Sequence, residues 1–217
     1  MITIAEFPIT CNNENFILTN QRALFWEKEQ ALVLSDLHVG KSATFRKAGI
    51  PISKNVLKKD LDRLAHLIGH FRATKLIVVG DLFHAEHNLD IIYFETWLSS
   101  FKNLNIELIL GNHDRLNEKQ LSKMSLKVFQ PKKTTNNLCF VHDAKCDKNA
   151  LFSVSGHTHP GVIIKGKARQ HIKLPCYQVT KNQLILPAFS LFTGLNYRDC
   201  PKNCKNIAFT EDLIFEV

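Results

Sequence analysis

The chain has 217 residues, 45% hydrophobic and 22% charged, which is the composition of an ordinary soluble globular protein and excludes fibrous or disordered classes. Lys and Arg number 28 against 20 Asp and Glu, a formal net charge of +8, so a polyanion, nucleic acid above all, is the favoured kind of partner. No run approaches the roughly 20 apolar residues of a membrane span, and the start, Met1 to Glu6, lacks the basic and apolar regions of a signal peptide.

A single domain over residues 1–217 is expected from this length, with a cytoplasmic location and no membrane partner. The six cysteines, Cys11, Cys139, Cys146, Cys176, Cys200 and Cys204, are irregularly spaced and read as reduced thiols. Cys200 and Cys204 have the look of half a zinc site, but no second pair matches them.

In chain order, Phe16–Thr19 and Ala23–Trp26 are short extended runs around Asn20-Gln21-Arg22, a hairpin pattern. Ala31–Leu34 is continuously apolar, the mark of a strand buried on both faces, and it ends at Asp36 and His38. From Ser53 to Phe71 the period changes: Val56, Leu57, Leu61, Leu64, Ala65, Ile68 and Phe71 recur at helical intervals. Pro51 and Ser53 mark its start. His66 and His70 lie four apart on this helix, without the Glu that a zinc-protease motif needs, so a solvated or packing role is the favoured reading.

Lys75–Val79 is a second buried strand, ending in Gly80-Asp81-Leu82-Phe83-His84. A helix follows from about Asp90 to Phe101, then a third strand, Ile106–Leu110, ending in Gly111-Asn112-His113-Asp114. This alternation predicts a mainly parallel sheet, whose ligands gather beyond the carboxyl ends of its strands. The second half has only short strands with tight connections, among them Leu138–Val141 before His142 and Leu151–Val154 before Gly156-His157-Thr158-His159. The fold class expected is α/β: a four-layer sandwich, two mixed β-sheets face to face with helices outside.

Five strand ends thus carry Asp36 and His38, Asp81, Asn112 with His113 and Asp114, His142, and His157 with His159. Carboxylate, amide and imidazole without thiolate suit two divalent cations such as manganese, iron or zinc. Two such ions about 3.5–4 Å apart clamp a phosphate and bring the pKa of water from 15.7 toward about 7, which sets up in-line attack of hydroxide on phosphorus.

In order and spacing these segments resemble the five motifs of the calcineurin-like metallophosphoesterases, over residues 36 to 159. The resemblance implies that Asp36, His38 and His159 hold one metal, that Asn112, His142 and His157 hold the other, and that Asp81 bridges them. It also implies that His113 protonates the leaving oxygen and that Asp114 orients it. One departure is Val141 where many members carry glycine before the histidine. That makes His142 the least secure ligand, with Asp143 and Asp147 as fall-back candidates.

Further segments, Asp36-Leu37-His38-Val39-Gly40-Lys41, Phe45 to Pro51, Leu174-Pro175-Cys176, and Leu186-Pro187-Ala188-Phe189 with Phe192-Thr193-Gly194, resemble the bacterial DNA ligase-associated metallophosphoesterases. That narrower resemblance implies a manganese-dependent nuclease or phosphodiesterase, acting on single-stranded DNA in repair or end processing, in functional association with a DNA ligase and a helicase. Lys41, Arg46, His84, Lys165, Lys167 and Arg169 are the candidate substrate contacts, since a positive rim would track a nucleic-acid backbone. Phe189 and Phe192 are expected to pack rather than stack on bases. A phosphodiesterase or phosphatase for a small nucleotide or other small phosphoester is the alternative, and a non-enzymatic scaffold is disfavoured because every ligand position is filled.

Overall fold

The computed structural model describes residues 2–53, 55–84, 88–116, 118–135, 137–143, 151–166 and 170–217. Its first sheet holds β1 (Glu6–Cys11), β2 (Glu14–Thr19), β3 (Leu24–Trp26), β4 (Ala31–Leu34), β5 (Lys75–Val79), β6 (Asn105–Ile109) and β7 (Lys127–Phe129), side by side in that order. Strands β1 to β4 pair antiparallel and β4 to β7 parallel. Between the parallel strands run α1 (Lys41–Lys47), α2 (Asn55–Phe71), α3 (Leu89–Leu98) and α4 (Glu118–Lys123).

The second sheet contains β8 (Lys132–Thr135), β9 (Leu138–Val141), β10 (Phe152–Ser155), β11 (Gly161–Lys165), β12 (His171–Val179), β13 (Gln183–Ile185), β14 (Lys205–Phe209) and β15 (Ile214–Glu216). It is mixed: β10 runs parallel to β9 and β13, whereas β12 runs antiparallel to β11, β13 and β14. The expected pair of mixed sheets with flanking helices is therefore the observed architecture.

The continuous apolar runs have the expected cause. Along the central strands successive side chains face opposite ways. Leu32, Leu34, Leu76, Val78 and Leu108 pack outward against Leu57, Leu61, Leu64 and Leu67 of α2 and Ile91 and Phe94 of α3. Ala31, Val33, Ile77, Val79 and Ile109 pack inward against Phe140, Val154, Tyr177, Leu184 and Ile207 of the second sheet. Each fully buried large side chain contributes about 1.5–3 kcal/mol. The Tyr177 hydroxyl crosses between the sheets, 2.9 Å from the carbonyls of Thr19 and Ala23.

The helix expected from Ser53 is α2, and its Asn55 amide donates to the Ser53 hydroxyl (3.2 Å). His66 is exposed, and His70 bonds Glu6 at 2.8 Å. The second expected helix is shorter than anticipated: α3 starts with the Asn88 side chain accepting from the amides of Asp90 and Ile91. The elements that no sequence pattern above marks are α1, α4, β1, β7 and β8. All are short or partly exposed, and α1 in addition follows Gly40 in a left-handed conformation (φ 95°) instead of a capping side chain.

Candidate metal centre

The candidate ligands sit where strands of both sheets end. Beyond β4, the chain continues as a ladder beside the loop after β5. The amides of Asp36, His38 and Val39 donate to the carbonyls of Gly80, Asp81 and Leu82, and the His84 amide donates back to Val39. On the other side, the amides of Phe189 and Ser190 donate to the carbonyls of Ser35 and Asp36. The Leu186-Pro187-Ala188-Phe189 segment thus clamps the loop that carries Asp36.

Two groups of side chains converge there: Asp36, His38 and His159, and Asp81, His142 and His157, the ligand atoms of each group within 4.8 Å of one another. The groups are laced together, because the His157 amide donates to Asp36 Oδ2 (3.1 Å). His159 Nε2 lies 3.1 Å from Asp36 Oδ1, and His142 Nε2 lies 3.2 Å from Asp81 Oδ2. His142 Nδ1 donates to the Val79 carbonyl at 2.9 Å, which turns Nε2 toward Asp81 and the site, where a cation would take the place of its proton.

These residues fit a cation. His38 is buried, and neither of its ring nitrogens has a hydrogen-bond partner, an arrangement that is costly without a partner. The backbone is also strained toward the site. Asp36, His38, Asp81, His157 and His159 all have φ between 50° and 67°, a left-handed region that side chains other than glycine occupy rarely and mostly where function requires it.

Three glycines make the close approach possible. A Cβ at Gly80 would lie 2.1 Å from His142 Nδ1, one at Gly111 2.2 Å from Asp81 Oδ1, and one at Gly156 1.7 Å from Ser35 Oγ and 2.7 Å from Asp36 Oδ2. The space that Val141 does not leave for His142 is therefore provided by Gly80 across the site. Asp143 is not among the grouped residues, and Asp147 lies outside the described residues.

The electrostatics follow the same geometry. Burial alone would raise Asp36 and Asp81. Asp36 is nonetheless held below the ordinary carboxylate range by His159, His142 and Ser35, and Asp81 is held at about 2 by His142 and the His113 amide. Burial drives His38 down to about 3. It opposes charge on His142 as well, but the bond to Asp81 and the charge of Asp36 lift that imidazole to about 9.

Asn112 is exposed in the loop after β6. The His113 amide donates to Asp81 Oδ1 (2.9 Å), and the His113 ring lies 5.5 Å from His38 and 4.8 Å from His84. Asp114, expected to orient His113, makes its hydrogen bonds to the main chain. Asp114 accepts from the amides of Asp81 (2.9 Å), Phe83 (2.8 Å) and Gly111 (2.8 Å), so it binds the β5 and β6 loops to one another.

Of the expected substrate contacts, Lys41 and His84 lie in electrostatic range of the metal-site residues. Burial lowers the Lys41 pKa against the pull of Asp36 and Asp81, and its Nζ lies 5.8 Å over the Phe192 ring. Burial, then His113 and Lys41, lower His84. Arg46 is tied instead to Asp90 (2.8 Å), whose other oxygen accepts from Ser42 and Ala43. Lys165 ends β11, paired with His171 of β12. Lys167 and Arg169 lie outside the described residues. Phe189 is fully buried, with Arg63 over its ring at 4.2 Å.

Two contributors were not singled out from sequence. The Ser35 hydroxyl lies 2.6 Å from Asp36 Oδ2 and 2.7 Å from the Val79 carbonyl; a polar residue directly after an apolar run was the available signal. Arg115, exposed at the end of the third motif, lies in electrostatic range of His84.

The sequence profile of the calcineurin-like phosphoesterases matches residues 30–171. The chain belongs to that family. It is accordingly a metal-dependent hydrolase, and the two groups above are where this chain can hold divalent cations. Among solved structures it is similar to a nuclease MPE of Pseudomonas putida, with 24% identity and a TM-score of 0.83 over 98% of this chain and 100% of that one. It also matches Yfce, a phosphoesterase from E. coli, at 17% identity and a TM-score of 0.47 over 86% and 97% of the two chains. Comparison with curated proteins gives no match. No helix described is long and apolar enough to cross a membrane.

Proposed function

We propose that this family member is a dinuclear, manganese-dependent phosphodiesterase that cleaves single-stranded DNA in repair or end processing, in the cytoplasm and alongside a ligase and a helicase. The observation that carries the reading is the composition of the rim. Lys41 is half-buried beside Asp36 and Asp81 and lies over the half-buried ring of Phe192, which meets Phe45 edge-on at 5.4 Å. A cation for phosphate next to an aromatic face is the recognition chemistry of single strands, so half-buried Phe192, expected from the sequence to pack, takes the stacking role in this reading. The net charge of +8 and the fold shared over its whole length with a nuclease support it.

Asp36, His38 and His159 would hold one cation, and Asn112, His142 and His157 the other, with Asp81 between them. Bound there, the pair supplies Lewis acidity toward water and phosphate. The chain's own residues do the rest. Lys41 would draw a phosphate oxygen to the rim, with Arg115 as a second cation near His84. His113 would give its proton to the departing sugar oxygen, a task suited to imidazole at working pH. His84, kept neutral by burial and by its cationic neighbours, would pack against His113 without competing for that proton.

The test is incubation of end-labelled single- and double-stranded DNA with manganese, with Asp81→Asn as control and a cyclic nucleotide and a phosphomonoester in parallel. Manganese-stimulated cleavage of the single strand, absent in Asp81→Asn, is the expected result. Faster turnover of either small substrate would transfer the assignment to a small-phosphoester hydrolase.

A further inference from the structure

Far along the chain from the metal motifs, the fold gathers three thiols. Gln178 on β12 is the direct antiparallel partner of Asn206 on β14, and Cys176 is paired two residues away with Ala208. Cys176, Gln178 and Asn206 therefore share one face of the second sheet, opposite to the face on which Tyr177 enters the core. The segment leading into β14 brings Cys200 and Cys204 to this face. The sulfurs of Cys176, Cys200 and Cys204 lie 3.8, 4.0 and 3.9 Å from one atom, Asn206 Oδ1.

That oxygen has more suitors than it can satisfy. Gln178 Nε2 also donates to it, at 3.3 Å, which makes four donors for two lone pairs. Gln178 is 1% exposed, and its own oxygen is buried without a partner, a deficit of positive character beside a surplus of thiol donors. A thiolate-bound cation relieves the surplus, since the sulfurs then give up their protons and that oxygen keeps one lone pair for Gln178 Nε2 and one for the cation.

We propose that Cys176, Cys200 and Cys204 bind one soft divalent cation, zinc by preference, with the Asn206 amide oxygen at the fourth corner. Thiolates select zinc over the harder ions that suit carboxylate and imidazole, and zinc takes sulfur at about 2.3 Å in a tetrahedron. Cys176 is fixed, fully buried in the sheet. Closing the ring of sulfurs to that distance needs movement only of Cys200 and Cys204, one exposed and one half-buried. The sequence had shown these two cysteines without a second pair, and pairing across β12 and β14 supplies the third ligand. The site is structural in place and effect. Asn196, at the start of the same segment, donates its amide to the His159 carbonyl (2.9 Å) and accepts from the Gly161 amide (2.9 Å), so a cation at the thiols would pin a segment laced to a metal-site histidine.

The experiment is titration of the reduced full-length protein with cobalt(II), followed by zinc. Carboxylate, amide and imidazole ligands give no sulfur-to-metal charge-transfer band, so that band reports only a thiolate site. A band that saturates with added cobalt, is bleached by added zinc and is absent from Cys200→Ser/Cys204→Ser supports the site. Circular dichroism of this variant checks its fold, and Cys200→Ser alone serves as the second variant should the double one fail to fold. Absence of the band in the wild type, or its persistence at wild-type intensity in either variant, overturns the proposal. So does a mass two hydrogens short in freshly purified protein that reduction restores without conferring cobalt binding, which would make the pair a disulfide.

Discussion

The imidazole of His84 stacks on that of His113, ring centres 4.8 Å apart and planes inclined by 26°. Both rings also meet His38 edge-on, at 5.3 and 5.5 Å. The proposed proton donor is thus held by two neighbouring imidazoles and by the bond from its own amide to Asp81. His113→Ala should lower kcat by roughly 10²–10⁴, the usual range for acid–base catalysis, with metal content unchanged. His84→Ala should cost less, roughly tenfold, or about 1.4 kcal/mol of transition-state positioning. Steady-state rates together with metal analysis check both, and an unchanged kcat in His113→Ala removes its catalytic role.

Asp114→Asn tests the main-chain role of that side chain. The carboxylate accepts from three main-chain amides, and an amide side chain offers one oxygen where the acid offers two. At least one buried N–H then loses its acceptor, at a cost of about 1–3 kcal/mol. The expected outcome is a lower denaturation midpoint with weaker metal retention. If Asp114 acted only on the His113 ring, the variant would lose rate while keeping both stability and metal.

Lys41 and Arg46, close in sequence, should separate cleanly. Lys41→Ala should weaken single-strand binding and reduce the slope of log affinity against log salt by about 1, the signature of one phosphate contact. Arg46→Ala should leave that slope unchanged and lower stability by roughly 1–3 kcal/mol, because the buried Asp90 carboxylate loses its cation. Binding isotherms at several salt concentrations, with thermal melts, distinguish the two.

Metal uptake should depend on pH in a stated direction. Without a cation, His142 holds its proton up to about 9, above the ordinary histidine value. The stability that this proton confers is full below about 6.5 and lost as pH rises through about 9. A cation must displace the same proton, so affinity at the Asp81, His142 and His157 group should rise by close to tenfold per pH unit up to about pH 9 and then level off. Calorimetry in buffers of different ionisation enthalpy measures the released proton, and pH-independent affinity would contradict the coupling.

The parts legible in sequence were those whose cause is local. Ala31–Leu34, Lys75–Val79 and Leu138–Val141 are strands at the bounds their apolar runs mark, and the polar residues at their ends meet because parallel strands share a carboxyl edge. What escaped depends on distant partners. Nothing near Asp114 announces that its acceptors will serve amides on another loop, and nothing near Val141 announces that Gly80 makes room for His142. Arg46 reads as a phosphate contact until Asp90, in another helix, is seen to claim it. The same applies to Cys200 and Cys204, whose third thiol arrives by strand pairing.

The glycines at 80, 111 and 156 have a consequence for how this enzyme can change. Each sits where any side chain would collide with a residue of the metal floor, so overpacking there should cost about 1–3 kcal/mol or more, and Gly156→Ala should emerge from expression depleted in metal. The floor is therefore closed to gradual variation, while the rim around Lys41, His84, Arg115 and Phe192 is open to it. Divergence in substrate preference, natural or engineered, has to be sought in that ring of side chains, over a centre that tolerates no remodelling.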